Sequence, residues 1–493
     1  MAFIDNRDFI EALGKTGDVL HIQQEIDWDL EVGAIVRRAC ERREAAPFFE
    51  RIKGYPDGFR IFGAPLATER RLAISMGLNP NSPTLFRKIQ KEYELRTRRR
   101  IKPVVVSHAP CKENVLLGDE VDLFLFPAPL IHDGDGGRYL GTWHMLVTKD
   151  PDSDWNNWGM YRLMLYNRRI LTSNCESHAH MGLIKAKYER QNKPMPIAVA
   201  IGADPISSLA SATQLGISRS EVDYAGALRQ EPVELVKCET NDLLVPAHAE
   251  IVLEGELIQN IKIAEGPFGE YPGYRSSARE LQIAYKINAV TYRNNPILTM
   301  SCTGMPVEDS GIVMGLTTSV AIKKHLLRHG VPVTDVYVPP ETGSTLVIVG
   351  VKPHYSNIAS VVSNVIFSTG RAAQKVIIVD SDVDVFDLNE VLHAFATKCH
   401  PVRGTRISDR EATLQFIPFL SPEERKWRKG AAIALDCTWP YEWSKETDIP
   451  PRMSFNEAYP KGVREKIVRD WETYGFTSGQ RGSHLSKLGF EKE

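Results

Sequence analysis

Two glutamates, Glu265 and Glu270, lie five positions apart in the sequence, with two glycines and a proline between them. Gly266, Pro267 and Gly269 exclude a regular helix. On a regular strand, two residues five positions apart would face opposite ways. A tight turn would instead bring both carboxyls into one pocket, where one acid can stay protonated while its neighbour is ionised. The stretch is therefore a candidate proton-transferring pair, although these residues taken alone favour an acidic surface turn.

Arg162 is the cation that best suits this pair. It stands at the head of a predicted strand, 162–166, and its forked guanidinium matches the geometry of a carboxylate. An arginine favours the ionised form of the carboxylate that it contacts, whereas a second carboxylate nearby favours its own protonated form. We interpret Arg162, Glu265 and Glu270 as a network that carries a general acid. The alternative is an ordinary surface arginine.

A second group of residues has the types that bind metals. His178 and His180 are two positions apart, and on a strand this spacing would place both rings on one face, as in some metal sites. Glu221 and the nearby Asp223 offer oxygen ligands for a divalent ion. The alternatives are structural histidines and a solvated acid at a turn.

Composition narrows the class of protein. The chain has 493 residues, 43% of them hydrophobic and 25% charged, with a formal net charge of −2. This length predicts two or three domains of an ordinary soluble protein. The near-neutral charge predicts neither nucleic acid nor a membrane as a partner. The apolar runs are too short to span a bilayer, and no signal-like apolar core opens the chain, so the expected location is cytoplasmic.

The seven cysteines are widely spaced and include no CxxC pair. They predict neither a disulfide framework nor a thiolate zinc site. We expect most of them to be reduced, buried thiols.

The elements that must position these residues predict an α/β multidomain protein. Helices are predicted at 7–16 (ending near Gly14), 28–43, 70–78 and 85–100, with strands at 18–26 and 60–62. Residues 142–300 are mainly short strands with one helix at 181–191, which indicates a barrel or sandwich. Beyond residue 306 helices and strands alternate. The predicted domains are 1–110, 111–308 and 309–493. The glycine-rich run 133–139 is no nucleotide-binding motif, although it is a candidate pocket lining.

These clusters, in this order, resemble the UbiD family of decarboxylases, which use prenylated FMN. The resemblance covers nearly the whole chain. It is carried by Asn157-Trp158 followed by Arg162, His180, Glu221, and the segments 110–114, 127–132, 235–242, 245–247, 250–255, 265–270 and 291–295. It implies an N-terminal α/β domain, a central split β-barrel that binds the flavin, and a C-terminal α/β oligomerisation domain.

The resemblance also implies a set of cofactor-binding residues. Asn157, His180 and Glu221 would bind a divalent metal (Mn²⁺, Mg²⁺ or Fe²⁺) that bridges to the flavin phosphate. A K⁺ ion would be held, mostly through backbone oxygens, by Trp158, Ala210, Ser211, Thr213 and Glu221. The remaining flavin contacts would be Gly159, Met160, Tyr161, Arg162, Ala179, Ala212 and Lys375, with Arg371 as a second candidate for the lysine's role.

The catalytic residues implied by the resemblance are Arg162, Glu265 and Glu270. The substrate carboxylate would lie near Arg162, which Glu265 orients. The cofactor would act as electron sink, CO₂ would leave, and Glu270 would return a proton to the same carbon.

This chain departs from some family members near the substrate. Ala179 stands where some fungal ferulate- or cinnamate-type members have glutamine, and Tyr271 follows Glu270 as a candidate for shaping the pocket. The segments 36–40, 133–144 and 158–162 look closer to the branch that includes phenylphosphate carboxylase and phthaloyl-CoA decarboxylase.

Three functions follow as hypotheses. The first is a prenylated-FMN-dependent (de)carboxylase of an aromatic, heteroaromatic or α,β-unsaturated acid, supplied with cofactor by a flavin prenyltransferase. The second is a flavin-binding subunit of a larger carboxylase without lyase activity of its own. The third is an interaction protein with a structural acidic turn. The family resemblance and the aromatic tail from Trp427 onward favour a homodimer or homohexamer.

Overall fold

The structure is a computed structural model that describes residues 2–275, 278–369, 373–413 and 415–476. The chain divides into two compact units, residues 1–438 and 439–493.

The first unit contains the elements that position the candidate site. It opens with α1 (Asn6–Thr16), β1 (Val19–Ile26), α2 (Glu31–Glu41), β2 (Ala46–Ile52), β3 (Arg60–Gly63), α3 (Glu69–Ser75) and α4 (Leu85–Arg96). Its middle part contains β4 (Val104–Val105), β5 (Asn114–Leu117), β6 (Tyr139–Gly141), β7 (His144–Lys149), β8 (Asn156–Gly159), β9 (Leu163–Asn167), β10 (Ile170–Ser173), α5 (His180–Arg190), β11 (Pro196–Ile201), α6 (Pro205–Ser211), α7 (Glu221–Arg229), β12 (Glu234–Lys237), β13 (Leu244–Pro246), β14 (Ile251–Glu265), β15 (Glu280–Tyr292) and β16 (Ile297–Met300). Its last part contains α8 (Asp309–Arg328), β17 (Val333–Tyr337), β18 (Leu346–Val351), α9 (Ile358–Phe367), β19 (Lys375–Asp380), α10 (Leu388–Lys398), β20 (Thr405–Ala412), α11 (Pro422–Trp427) and β21 (Lys429–Cys437).

The largest sheet curls into a half-barrel. Its strand order is β6-β9-β10-β15-β14-β11-β7-β8, and β5 pairs with β15. Strands β14 and β15 are antiparallel, and their register shifts between Glu254 and Gly255 and again between Leu257 and Lys262. Such bulges bend a strand and increase its twist. They are the local cause of a sheet that curves around the site instead of lying flat.

Three smaller sheets complete the first unit within the described residues: β1-β2-β3-β16, β13-β12-β4 and β17-β18-β19-β21-β20. Strand β16 follows the half-barrel in sequence but runs parallel to β3 in the N-terminal sheet. The chain therefore returns to the N-terminal helices immediately before it reaches residues 301–308.

The mixed α/β multidomain fold expected from the sequence is confirmed. Helix α1 runs beyond the predicted end at Gly14, because a glycine inside a helix costs only about 1 kcal/mol. It ends instead at Gly17, whose φ of 72° suits a left-handed helix cap.

The prediction of one helix in the middle part was wrong, since α6 and α7 are present as well. Every residue of α6 is buried, and so are most residues of α7. A helix that is buried on nearly all sides lacks the polar face that makes helical periodicity visible in a sequence.

The second unit contains α12 (Phe455–Ala458) and α13 (Lys461–Arg469). Several large apolar side chains of this unit are exposed, including Met453, Val468 and Tyr474.

Candidate active site

Arg162 and Glu265 form a forked ion pair inside the half-barrel. Arg162 precedes β9, and Glu265 is the last residue of β14. Arg162 Nε donates to Glu265 Oε1 and Nη2 donates to Oε2, both at 2.8 Å. The two side chains are only 10% and 1% exposed. This is the bidentate arrangement in which an arginine recognises a carboxylate most strongly.

Glu270 takes a third N–H of the same guanidinium, because Arg162 Nη1 donates to Glu270 Oε1. The Glu270 side chain is 8% exposed. The loop between the two acids leaves β14 through Gly266, whose φ is 76°, a conformation that glycine adopts at no steric cost. The predicted turn that brings both acids to one arginine is therefore present.

Two aromatic residues that the sequence analysis did not single out complete this network. Tyr139 Oη donates to Glu265 Oε1 at 2.9 Å. Burial, with the Glu265 charge adding to it, raises the pKa of Tyr139, so the hydroxyl stays a donor. Phe268 lies beneath the guanidinium, with its ring centre 5.3 Å from Arg162 Cζ. A sequence signal for Tyr139 was its position at the end of the glycine-rich run.

The predicted metal-binding residues also come together. Asn157 lies on β8, whereas His180 and Glu221 are the first residues of α5 and α7. Asn157 Nδ2 is 3.4 Å from both His180 Nδ1 and Glu221 Oε2, and His180 Nδ1 is 3.9 Å from Glu221 Oε1. Glu221 Oε2 also accepts the Trp158 backbone N–H at 2.9 Å.

This set fits a hard cation. Asn157 Oδ1 is buried without a hydrogen-bond partner, and such an orphaned oxygen is costly unless something binds it. Burial raises the pKa of Glu221 to about 7, and no cation among the described residues offsets this effect. Burial lowers the pKa of His180, which favours the neutral imidazole, the form that binds a metal. Among the described residues no group of three or more His, Cys, Asp or Glu side chains could hold a metal. Asn157, His180 and Glu221 do not form such a group, because only two of them are of these residue types and the third is an amide.

The interpretation of His178 and His180 as a pair on one strand face was wrong. Both residues follow β10, and His180 already belongs to α5. His178 is exposed, and its ring contacts Glu176 and Arg428. Asp223 pairs with Lys102. Of these four residues, only His180 and Glu221 lie beside Asn157, and they are the two that the family resemblance implies as metal ligands.

The residues expected to hold K⁺ lie where α6 ends. Ala210 and Ser211 close that helix, Ala212 is its C-cap, and the Thr213 N–H donates to the Ala210 carbonyl at 3.0 Å. The end of a helix presents backbone carbonyl oxygens, which are suitable ligands for a monovalent cation. Helices α6 and α7 both contact β8, so this helix end, Trp158 and Glu221 belong to one neighbourhood.

Residues 159–162, which are expected to lie along the flavin, connect the cluster around Arg162 with the cluster around Asn157. Gly159 ends β8, and a side chain there would collide with the Tyr161 ring, 2.2 Å from the position of an added Cβ. The Tyr161 hydroxyl accepts the Met181 N–H at 3.4 Å, and burial raises the pKa of Tyr161. Met160 packs against the hydrophobic core. This short strip spans the chain from Asn157 to Arg162.

The remaining expected flavin contacts are more dispersed. Ala179 is the residue before α5. Lys375 begins β19, where its ammonium lies 4.4 Å from the ring centre of Phe419. The described residues give Lys375 no hydrogen bond or ion pair with Arg162 or Glu221. Arg371 lies outside the described residues. Tyr271 packs edge-on against Phe416, with ring centres 6.3 Å apart.

Comparison with known proteins defines the class first. Profiles of the 3-octaprenyl-4-hydroxybenzoate carboxy-lyase match residues 10–92 (N-terminal domain), 102–306 (Rift-related domain) and 311–437 (C-terminal domain). The chain is therefore a carboxy-lyase.

Within that class, the chain belongs to the UbiD family. It is 34% identical to the pyrrole-2-carboxylic acid decarboxylase of Pseudomonas aeruginosa, over 96% of this chain and 98% of that protein. It is 32% identical to ferulic acid decarboxylase 1 of Saccharomyces cerevisiae, over the same shares of the two chains.

Solved structures agree with this family. The closed form of the vanillic acid decarboxylase ShVdcCD of Sedimentibacter hydroxybenzoicus superposes with a TM-score of 0.86 at 29% identity, covering 97% of this chain and 100% of the other. The UbiD-class enzyme HmfF of Pelotomaculum thermopropionicum, in complex with FMN, superposes with a TM-score of 0.82 at 26% identity, covering 95% of this chain and 100% of the other.

The described helices include none long and apolar enough to cross a membrane.

Proposed function

We propose that this protein is a prenylated-FMN-dependent, reversible, non-oxidative decarboxylase of an aromatic, heteroaromatic or α,β-unsaturated carboxylic acid, taken as the free acid or as a CoA thioester. The observation that carries the proposal is the Arg162–Glu265–Glu270 network on the half-barrel that also carries Asn157. The named activities of the relatives, on pyrrole-2-carboxylic, ferulic and vanillic acids, support this substrate class.

The residues present suit the proposed cofactor. Asn157, His180 and Glu221 would hold Mn²⁺, Mg²⁺ or Fe²⁺ against the flavin phosphate, and the first turns of α5 and α7 place backbone N–H groups at the same point. Trp158, Ala210, Ser211, Thr213 and Glu221 would hold K⁺. HmfF, which binds FMN, and its evolved form, which binds prenylated FMN, support a flavin here. When bound, the prenylated flavin supplies the electron sink for carbon–carbon cleavage.

The chain's own residues would bind the acid and move the proton. Three of the five N–H groups of Arg162 are taken by Glu265 and Glu270, so two remain for a substrate carboxylate. Glu265, itself fixed by Tyr139, holds the guanidinium in one plane. Loss of CO₂ from a carboxylate requires one proton at the carbon left behind. Glu270, bonded to the same guanidinium, is the acid that would deliver it.

The protein would depend on partners for cofactor and assembly. A flavin prenyltransferase would supply prenylated FMN, and the substrate acid and CO₂ complete the small-molecule partners. We place the protein in the cytoplasm, as a homodimer or homohexamer in which the exposed aromatic side chains of the second unit dock on another copy. The domain boundaries 1–110, 111–308 and 309–493 and the kinship with the phenylphosphate carboxylase and phthaloyl-CoA decarboxylase branch stay predictions from the sequence.

A second candidate function is a flavin-binding subunit with no lyase activity alone. One observation favours it, namely that the vanillic acid decarboxylase neighbour is described with a second component, ShVdcD. Under this alternative the isolated chain would bind flavin and metal but would neither release CO₂ nor exchange it with the carboxylate.

The test is CO₂ release by the chain co-expressed with a flavin prenyltransferase, using pyrrole-2-carboxylate, ferulate and vanillate as probes. We expect turnover of at least one acid, loss of turnover in Glu270→Gln, and prenylated FMN in the mass spectrum of the released cofactor. Turnover that is unchanged in Glu270→Gln would remove this residue as proton donor. A cofactor-loaded chain that binds flavin and metal without any CO₂ exchange would favour the subunit alternative.

A further inference from the structure

Gly269, the residue immediately before Glu270, has both of its backbone polar groups bonded to side chains from other parts of the chain. Its N–H donates to Asp135 Oδ1 at 3.1 Å. Its carbonyl accepts the Thr303 hydroxyl at 2.6 Å. On the other side of the acid, the Glu270 N–H donates to the Tyr274 carbonyl at 3.1 Å. The backbone that carries Glu270 is therefore held on both sides.

Asp135 is itself rigidly placed. Its side chain is fully buried, and its second carboxylate oxygen is bonded by the His132 ring Nδ1 at 2.9 Å and by the His132 backbone N–H at 3.2 Å. A carboxylate that accepts several N–H groups in a buried site has one orientation that satisfies all of them. The His132 ring also packs on Gly269, since a Cβ added there would lie 2.8 Å from the ring.

The backbone next to Asp135 also contacts the loop between Glu265 and Glu270. The Gly136 N–H donates to the Pro267 carbonyl at 2.7 Å. An added Cβ at Gly136 would lie 1.9 Å from the Gly266 carbonyl oxygen. The glycine-rich run 133–139 is therefore in direct backbone contact with the loop between Glu265 and Glu270. Glycine is needed at Gly136 because the two backbones approach closely there.

Thr303 is anchored by the N-terminal helix α2. Arg37 on that helix donates to the carbonyl of Cys302 at 2.8 Å, and the Cys302 thiol donates to the Gly33 carbonyl at 3.5 Å. Gly33 also lies against Ile131, whose carbonyl oxygen would be 2.0 Å from an added Cβ. Helix α2 thus supports both the segment that carries Asp135 and the segment that carries Thr303.

We propose that Asp135 and Thr303 are positioning residues for Glu270: together they orient the Gly269 peptide so that the acid meets Arg162 and the substrate carbon in one geometry. The inference rests on the proposed role of Glu270 as proton donor. The physical reason is that a displacement of about 1 Å in a reacting group can cost on the order of 100-fold in rate. Neither side chain contacts Arg162, Glu265 or the Glu270 carboxyl in the described hydrogen bonds, so their effect passes through the Gly269 backbone.

The test compares Thr303→Val, which keeps the shape and removes the hydroxyl, with Thr303→Ser, which keeps the hydroxyl. Thr405→Val is the matched control, because the Thr405 hydroxyl also donates to a backbone carbonyl, that of Pro401, at 2.9 Å, away from this loop. All three are made in the full chain co-expressed with a flavin prenyltransferase. The readouts are deuterium uptake of peptides that cover 266–275, FMN affinity, and kcat and KM with pyrrole-2-carboxylate, ferulate and vanillate.

We expect Thr303→Val to raise deuterium uptake of the 266–275 peptides and to lower kcat about 3- to 10-fold, the effect of one lost hydrogen bond of roughly 1 kcal/mol. KM and FMN affinity should stay within about twofold of wild type, a difference too small to reflect a lost binding contact. Thr303→Ser and Thr405→Val should behave as wild type. If Thr303 had a purely structural role, Thr303→Val would lower the melting temperature without lowering kcat selectively over KM, and Thr303→Ser would not restore wild-type behaviour.

Three results separate this inference from the proposed function. Wild-type uptake of the 266–275 peptides in Thr303→Val overturns the positioning role, whichever acid is the substrate. Full turnover in Glu270→Gln overturns the proposed proton donor instead. Loss of turnover in Glu270→Gln together with wild-type kcat in Thr303→Val rejects the positioning role alone.

Discussion

Arg162 presents one whole edge of its guanidinium to Glu265, with Nε and Nη2 each 2.8 Å from a different carboxylate oxygen. This pairing leaves the opposite edge of the guanidinium to face Glu270 and the space beside it. Glu265 therefore acts as the fixed partner, since its own remaining contact is the buried Tyr139 hydroxyl. Glu270, in the loop that follows β14, accepts a single N–H from the opposite edge of the guanidinium.

Replacing Arg162 by lysine should abolish most of the activity. A lysine has one compact ammonium and no fork, so it cannot reproduce both N–H bonds to Glu265 together with the bond to Glu270. The substrate carboxylate and Glu270 would then be misplaced by about 1 Å or more, which lowers kcat/KM on the order of 100-fold. The assay is CO₂ release by cofactor-loaded protein. Arg168→Lys is the control, since Arg168 pairs with Asp122 at the surface and its side chain is 72% exposed; equal loss in both variants would refute a specific role of Arg162.

Glu221→Gln should remove the divalent metal without unfolding the site. Glutamine can still accept the Trp158 N–H, but it lacks the charge that binds a hard cation. We expect metal content after dialysis against Mn²⁺ to fall about 10-fold or more, at least as much as the loss of an outer-shell partner. Elemental analysis by mass spectrometry measures this. Asp223→Asn, two residues away and paired with Lys102, should keep its metal, and a full complement of metal in Glu221→Gln would contradict the assignment.

Gly136→Ala should displace the loop that carries Glu270. The new Cβ would lie 1.9 Å from the Gly266 carbonyl oxygen, and relief of such overpacking costs about 1–3 kcal/mol. We expect a lower melting temperature and a larger fractional loss of turnover than of flavin binding. Gly462→Ala on α13 is the control, because an added Cβ there meets nothing within 4 Å. If the two variants had the same melting temperature and turnover, this close approach would not exist in solution.

Glu308 predicts a specific pH dependence of stability. It is buried at the start of α8, and burial, with Asp309 adding to it, raises its pKa from 4.5 to about 7. A carboxyl with a raised folded-state pKa contributes stability that is complete below its unfolded pKa and is lost as the pH rises through the folded value. The wild type should therefore lose up to about 3 kcal/mol from this group between pH 5 and pH 8.

Glu308→Gln should remove that loss, because glutamine does not ionise in this pH range. The substitution has a pH-independent cost, since the Ser310 and Gly311 N–H groups bond different oxygens of Glu308 at 2.8 Å and glutamine has a single acceptor oxygen. The measurement is the melting temperature of both proteins at pH 5 and pH 8. The melting temperature of the variant relative to that of the wild type should rise from pH 5 to pH 8. Glu25→Gln at an exposed site should show no such divergence, and parallel pH profiles of wild type and Glu308→Gln would refute the raised pKa.

Much of the site could be predicted from residue types and motif order. Glycines and a proline between Glu265 and Glu270 exclude regular structure on local grounds, and the turn is present. The resemblance carried by Asn157, Arg162, His180 and Glu221 selected side chains that the structure places in two clusters. The turn could be predicted because it depends on the identity of residues and on local backbone preferences, whereas the catalytic and metal-binding roles stay predictions.

The errors arose where burial by distant parts of the chain decides the local structure. The strand assigned to His178 and His180 is a turn followed by α5, and α6 and α7 were missed because nearly all of their residues are buried. The run 133–139 was a candidate pocket lining, but the partners of Tyr139, Asp135 and Thr303 could not be predicted, since each bonds to a residue more than 30 positions away.

The sequence by itself determined which residues are available for chemistry, the turn between the two acids, and the family of the chain. Only the tertiary structure decided that Arg162 and Glu265 meet. Their strands are three steps apart in the order β9-β10-β15-β14, and a spacing of about 4.8 Å would separate the strands by about 14 Å in a flat sheet. The bulged pairing of β14 with β15 bends the sheet, and long-range pairing of this kind cannot be inferred from local sequence. The curvature that results is the physical reason why an arginine and a glutamate 103 positions apart form one forked ion pair.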